Sequence, residues 1–170
     1  KTKEPYRESV TLQASRHSGM LTQPFILEGN GATLDGSRPI PEAAWQSVPN
    51  RPGVFRYQPR FKSHILLYLH GRPGPRVTVP QDATEVPELA PLQWCLFRGH
   101  VYFRVEADNI PAAYVLSATA LPVGITLYEA RHIQIRNLVV QGFRLDGINA
   151  HDNVFDANLL SLNCRGNGRS

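Results

Sequence analysis

At 170 residues, with an apolar fraction of 42% and a charged fraction of 19%, the chain is long and apolar enough to bury a real core, which excludes a disordered segment. Its net charge is +4, and Arg supplies every basic residue except Lys1, Lys3 and Lys62; the arginines are scattered with no basic run, which argues against a nucleic-acid partner. No apolar run approaches the roughly 18 residues that cross a bilayer, so no membrane span is expected.

The chain opens on polar Lys1-Thr2-Lys3-Glu4-Pro5 without a signal peptide, so any export signal is expected to have been removed. Residues 1–37 read as an opening segment and a first coil. A strand is expected at Val10-Thr11-Leu12-Gln13, then two short strands within Phe25–Ser37, separated by Gly29-Asn30-Gly31 and closed by an Asp35-Gly36 turn. Residues 38–117 change character and read as an antiparallel β insertion packed on the rest. Glu42-Ala43-Ala44-Trp45 suits one helical turn, and strands are expected at Val54–Tyr57 and Ile65–Leu69, the latter ending in a His70-Gly71 turn. A hairpin is expected from Trp94–Phe97 through a three-residue loop, Arg98-Gly99-His100, to Val101–Val105.

Residues 118–170 carry an internal repeat. Gly124-Ile125-Thr126-Leu127 recurs twenty-three residues later as Gly147-Ile148-Asn149-Ala150, while Ile133, Asn137 and Leu138 recur twenty-one later as Val154, Asn158 and Leu159. A unit of just over twenty residues with short β-branched runs and Asn/Gly punctuation predicts a solenoid in which each repeat adds one coil. The fold class expected is therefore all-β: a right-handed parallel β-helix fragment, its N-terminal coils with an antiparallel insertion, truncated at its C-terminal end. The last residues, Asn167-Gly168-Arg169-Ser170, stand at the phase where Leu145-Asp146 precedes Gly147, so a further coil is expected in the natural protein. Asn137 and Asn158, at equal phase, would stack as an amide ladder. Asp156 would then pair with Ile135, leaving either a local slip of register or a buried carboxylate. Cys95 and Cys164 have no partner at metal-ligand spacing and read as two small, mostly buried thiols, with a single disulfide as the alternative.

Phe25–Ser37, the insertion with Trp45 and the Gly99-His100-Val101-Tyr102-Phe103 hairpin, and the Gly-Ile repeat together resemble the right-handed parallel β-helix repeat proteins of the pectate-lyase-like superfamily. That resemblance implies an extracytoplasmic protein, secreted, periplasmic or on the cell surface, that acts on polysaccharide as a lyase or glycoside hydrolase. The alternative is a non-catalytic glycan-binding or adhesin-like protein. Leu145-Asp146-Gly147-Ile148 is similar to the Asn-Thr-Asp-Gly-Ile run of polygalacturonases, which implies a catalytic Asp146. However, no Asp-Asp pair follows, Arg169 stands where that family has His, and Arg144-Leu145 replaces its Asn-Thr.

If Ile125, Leu127, Ile148 and Ala150 face the core, Thr126/Asn149 and Tyr128/His151 become outward-facing stacked pairs about 4.8 Å apart, with Glu129 and Asp152 in the next turn. Asp146, Asp152, His151 and Glu129 are the expected catalytic groups: paired carboxylates as acid and base or nucleophile, and His151 as a proton carrier. Tyr128, Arg144 and Asn149 are the expected substrate contacts, with Arg144 suited to a uronate carboxylate. The Arg-rich composition fits an acidic polysaccharide, although codon usage is the more ordinary explanation of it. No metal site and no cofactor are expected. Asp146-Gly147 and Asp152-Asn153 are also ordinary turn dipeptides, and the aromatic residues Trp45, Trp94, Tyr102 and Phe103, with Arg104, fit either core packing or sugar stacking.

Overall fold

The structure is a computed structural model and describes residues 4–169; the Lys1-Thr2-Lys3 opening and Ser170, used above to read the chain's ends, lie outside the described residues. In chain order the strands are β1 (Val10–Gln13), β2 (Phe25–Asp35), β3 (Ser37–Pro39), β4 (Gln46–Ser47), β5 (Val54–Tyr57), β6 (Leu67–Leu69), β7 (Arg72–Pro73), β8 (Trp94–Phe97), β9 (His100–Arg104), β10 (Leu116–Thr119), β11 (Ile125–Tyr128), β12 (Arg131–Gln141), β13 (Ile148–His151), β14 (Phe155–Leu160) and β15 (Asn163–Arg165). The helical content is one turn, α1 (Ala14–His17), and two 3₁₀ turns at Glu42–Ala44 and Pro111–Ala113. No helix among the described residues is long and apolar enough to cross a membrane. The chain divides into two compact units, one built from residues up to Ser37 and from Thr119 onward, the other from Arg38–Ala118.

The registered strand pairs of the Arg38–Ala118 unit are antiparallel, with one isolated parallel bridge between Arg76 and Trp94. One sheet runs in the order β4-β5-β9-β8, another in the order β3-β10-β6-β7. Period-two alternation gives the first sheet two apolar faces. Trp94, Val101 and Phe103 pack with Tyr57, Ile65 and Leu67 on one side, while Val54, Cys95 and Tyr102 pack with Leu89 on the other. The β8–β9 hairpin turns on two residues, not three: His100 already pairs with Phe97, and Arg98 (φ 45°) and Gly99 (φ 77°) are both left-handed, the geometry that matches strand twist in a tight hairpin. Trp94, Tyr102 and Phe103 are core residues, and the Trp94 indole N–H donates to the Gly74 carbonyl at 3.0 Å.

In the other unit all registered strand pairs are parallel. β11 lies between β1 and β13, pairing Ile125 with Val10 and Ile148, and Tyr128 with Gln13 and His151. The repeat in the sequence therefore pairs in phase, with Thr126/Asn149 and Tyr128/His151 side by side. β12 is flanked by β2 on one side and by β14 and β15 on the other. Leu12, Leu34, Ile125, Leu127, Ile133, Ile135, Val140 and Phe143 form one buried cluster. Gly124 and Gly147 recur because no Cβ fits: at Gly124 it would lie 2.4 Å from the Gly147 carbonyl, and at Gly147 2.6 Å from the Asn167 amide. β2 is one strand rather than two. The Gly29-Asn30-Gly31 stretch is a bulge within it, with Asn30 and Gly31 left-handed at φ 50° and 73°.

Register around β12 differs from the sequence reading. Ile133 pairs with Ala157, Ile135 with Leu159 and Val140 with Cys164, a spacing of twenty-four residues rather than twenty-one. Asn158 consequently lies opposite Gln134, so the Asn137–Asn158 ladder does not form, and Asn137 instead donates its amide to Glu28 Oε1 at 3.0 Å. Asp156 no longer meets Ile135 and bonds His132 at 2.5 Å.

The resemblance to the pectate-lyase-like superfamily and its right-handed parallel β-helix solenoid is not sustained. In-phase pairing is limited to the three strands of one sheet and the neighbours of β12 in another. The eight strands β3–β10 belong to two further, separate sheets, so the fold class that stands is all-β with both parallel and antiparallel sheets.

Candidate functional site

The turns that follow β11 and β13 bring most of the expected site residues to one corner of the parallel unit. The Glu129 N–H donates to the carbonyls of His151 and Asp152, both at 3.1 Å, and the Phe155 N–H to the Ala130 carbonyl. Glu129 (φ 53°) and Asp152 (φ 47°) are both left-handed, so each chain reverses sharply and leaves its side chain exposed. Tyr128 and His151 sit side by side at the ends of their strands, exposed to solvent. The Asp152 and Glu129 carboxylates, Asp152 foremost, raise the Tyr128 phenol above its ordinary pKa, and the phenol also hydrogen-bonds Asp152.

Four residues that the sequence did not single out as site residues complete this corner. His132 Nδ1–H donates to Asp156 Oδ2 at 2.5 Å, a contact that selects the ring's tautomer. The His132 and Phe155 rings meet edge-on, their centroids 5.6 Å apart, and the Arg131 guanidinium lies over the Phe155 ring, 4.8 Å from its centroid. The corner is tied to the first parallel level through Ser18, whose hydroxyl accepts the Arg131 N–H at 3.1 Å. His132 and Asp156 share the left-handed conformation (φ 49° and 52°), and their twenty-four-residue spacing is the signal that would have paired them.

The other expected residues lie elsewhere. Asp146 precedes β13, and the four-residue strand between it and Asp152 is roughly 13 Å long. It is 6% exposed and paired in two-point fashion with Arg169, Nε to Oδ1 at 3.0 Å and a second bond to Oδ2. Those bonds raise the Arg169 pKa further above its already high value. A buried carboxylate clamped in this way holds the 167–169 segment in place and is not presented as an acid or nucleophile. Arg144 is half-buried beside Asp146 in sequence, its backbone N–H bonded to Leu121. Asn149 faces outward opposite Thr126, but its side-chain carbonyl oxygen is enclosed.

Among the described residues no group of three or more His, Cys, Asp or Glu is placed to hold a metal ion. Both cysteines are reduced. Cys95 is buried, which pushes its thiol up to about 11, whereas Cys164 is exposed, contrary to the expectation of two mostly buried thiols. A cavity of about 550 Å³ lined by Val10, Leu27, Leu34, Ile125 and Leu138, with Glu8 and Glu28, contains none of the expected site residues.

No protein-family model, no curated protein and no solved structure matches the chain.

Proposed function

We propose that the protein binds polysaccharide through the corner formed by Tyr128, Glu129, Arg131, His132, His151, Asp152, Phe155 and Asp156. The observation that carries this reading is the pair of exposed rings, Tyr128 at 44% and Phe155 at 47%, set among fixed polar and charged groups. A pyranose has an apolar C–H face and an equatorial belt of hydroxyls. Exposed rings suit the first, and a tethered carboxylate, imidazole or guanidinium suits the second. Three carboxylates (Glu129, Asp152, Asp156) against Arg131 make the corner a better partner for neutral sugars than for uronates, a narrower reading than the acidic polysaccharide suggested by the Arg-rich composition. Such a ligand places the protein's action outside the cytoplasm: secreted, periplasmic or at the cell surface.

A catalytic reading is favoured by one observation, the two carboxylates of Asp152 and Glu129 that act on a single phenol. With Asp146 bound to Arg169, any acid/base pair would be Asp152 and Glu129, with His151 or His132 as proton carrier.

The test is a polysaccharide panel read by calorimetry for binding and by reducing ends and unsaturated uronates for turnover. Binding about tenfold weaker in the Tyr128→Ala, Phe155→Ala double variant is expected. Binding unchanged in that variant, or no binding to any member of the panel, would overturn the proposal. Turnover abolished by Asp152→Asn with binding retained would select the enzyme.

A further inference from the structure

The bulge in β2 lies beside the middle of β12, and together with the link between β14 and β15 it frames a hollow of about 430 Å³. It is lined by the polar residues Asn30, Asn137, Ser161 and Asn163 with apolar Val139, while the side chain of the adjoining Leu138 packs against the core. The sequence reading gave none of these a ligand role, and the corner described above shares none of them.

Three of the polar residues stand at equivalent points of neighbouring strands. Asn30, Asn137 and Ser161 are all left-handed, at φ 50°, 56° and 52°, so the backbone bends outward at each level and presents a short polar side chain there. Neighbouring strands are spaced about 4.8 Å apart, so amide and hydroxyl groups recur at that interval across the hollow. Asn137 is held in place: its Nδ2 donates to Glu28 Oε1 at 3.0 Å, and the Asn30 N–H donates to the same oxygen at 2.9 Å. Glu28 is in turn neutralised by Arg136, Nε to Oε2 at 2.6 Å. The Asn30 N–H first, then the Asn137 amide, and Arg136 lower the pKa of Glu28, which stands behind the hollow and does not line it.

Every side chain lining the hollow is uncharged. An anion or cation would find no counter-charge in it. A ligand with alternating donors and acceptors and one apolar face meets every element: amides and a hydroxyl for its hydroxyl groups, Val139 for its C–H face. We infer that this hollow is a binding subsite for a neutral oligosaccharide, distinct from the Tyr128–Phe155 corner. Along β12, His132 and Asn137 are five residues apart, roughly 16 Å of strand, so a glycan chain lying along β12 can reach both places. The inference rests on the lining of the hollow and not on the corner.

The experiment titrates the protein with cellohexaose, maltohexaose and xylohexaose by calorimetry and by amide chemical-shift perturbation. Ser161→Gly removes the hydroxyl at a left-handed position without strain, and Asn163→Ala removes one amide from an exposed strand position. At least one of the three sugars is expected to shift the amides of Ser161 and Asn163, and the double variant to bind it about threefold to tenfold more weakly. Shifts confined to other parts of the chain, affinity within twofold in the double variant, or no binding of any of the three sugars at millimolar concentration would each overturn the inference. The Tyr128→Ala, Phe155→Ala variant separates the two sites. If it alone weakens binding, the hollow is refuted and the corner stands; if only the hollow variant does, the reverse holds. The shift measurement on the unaltered protein keeps the test valid even if a variant misfolds.

Discussion

The antiparallel and parallel units hold their cores in different ways. In the Arg38–Ala118 unit a single sheet is covered on both faces, so Trp94, Cys95, Val101 and Phe103 are all at or below 1% exposure. In the parallel unit, burial depends on the level. Ile135 is fully buried, but Leu159, its partner one level on, is 51% exposed; Val140 is fully buried, while its partner Cys164 is exposed. The same inward phase thus carries different free energies at successive levels, because a parallel strand is covered by its neighbours and not by its own hairpin. Polar side chains help to pin these levels together. Gln141 Nε2 donates to Asp35 Oδ2 at 3.2 Å and Arg165 Nε donates to Gln141 Oε1 at 2.9 Å, a row that links three strands.

The largest effect is expected where burial is complete. Trp94→Ala removes a fully enclosed indole and its bond to Gly74 and should cost about 3–5 kcal/mol in denaturant unfolding. A loss below 1 kcal/mol would mean that the antiparallel core is not closed. Within the parallel unit, Ile135→Ala should cost about 2–5 kcal/mol and Leu159→Ala less than about 1 kcal/mol, although the two residues are strand partners. Equal costs would show that the level-dependence of burial does not hold in solution.

Asp146→Asn comes next. It leaves Arg169 with a neutral partner in place of a clamped carboxylate, and an expected loss of about 1–3 kcal/mol follows from the worth of hydrogen bonds to charged groups. Glycan binding by the same variant should stay within twofold of the unaltered protein. A large loss of binding or activity without a loss of stability would return Asp146 to the functional site.

The two units were also unequally legible in the sequence. Val54–Tyr57 and the β8–β9 hairpin follow from local alternation and a Gly turn, because an antiparallel pair is specified by residues close together in the chain. In the parallel unit, β11 and β13 were legible because Gly124 and Gly147 are sterically required and their strands alternate strictly. The register of β12 was not. The positions that recur with it are His132 and Asp156, Asn137 and Ser161, and Gly142 and Gly166, which share a left-handed backbone and, apart from the last pair, no side-chain chemistry. Matching residue types therefore selected a false spacing of twenty-one. The clustering of Tyr128, Glu129, His151 and Asp152 follows directly from the β11–β13 alternation. The placing of His132, Phe155 and Asp156 depends on the β12–β14 register and was not legible, while Asp146, singled out by its Asp-Gly dipeptide, lies at the other end of β13, paired with Arg169.

The smallest expected effect probes the corner through the Tyr128 proton. Asp152 and then Glu129 raise its folded pKa above the ordinary 10.0, whereas the unfolded chain keeps the ordinary value. The folded state therefore retains the proton while the unfolded state releases it. The contribution to stability is fully present below pH 10 and falls as pH rises through the higher folded value. Because Tyr128 is solvent-exposed, the consequence for overall stability is slight, and the measurement of choice is spectroscopic. Tyrosinate absorbance, assigned by difference against Tyr128→Phe, should show this phenol titrating later than a model tyrosine. In the Asp152→Asn, Glu129→Gln double variant its midpoint should return towards the ordinary value. A midpoint that does not move on neutralising both carboxylates would mean that they do not face the phenol. The corner would then lose its acid/base pair while keeping its exposed rings, which favours a binding surface over a catalytic one.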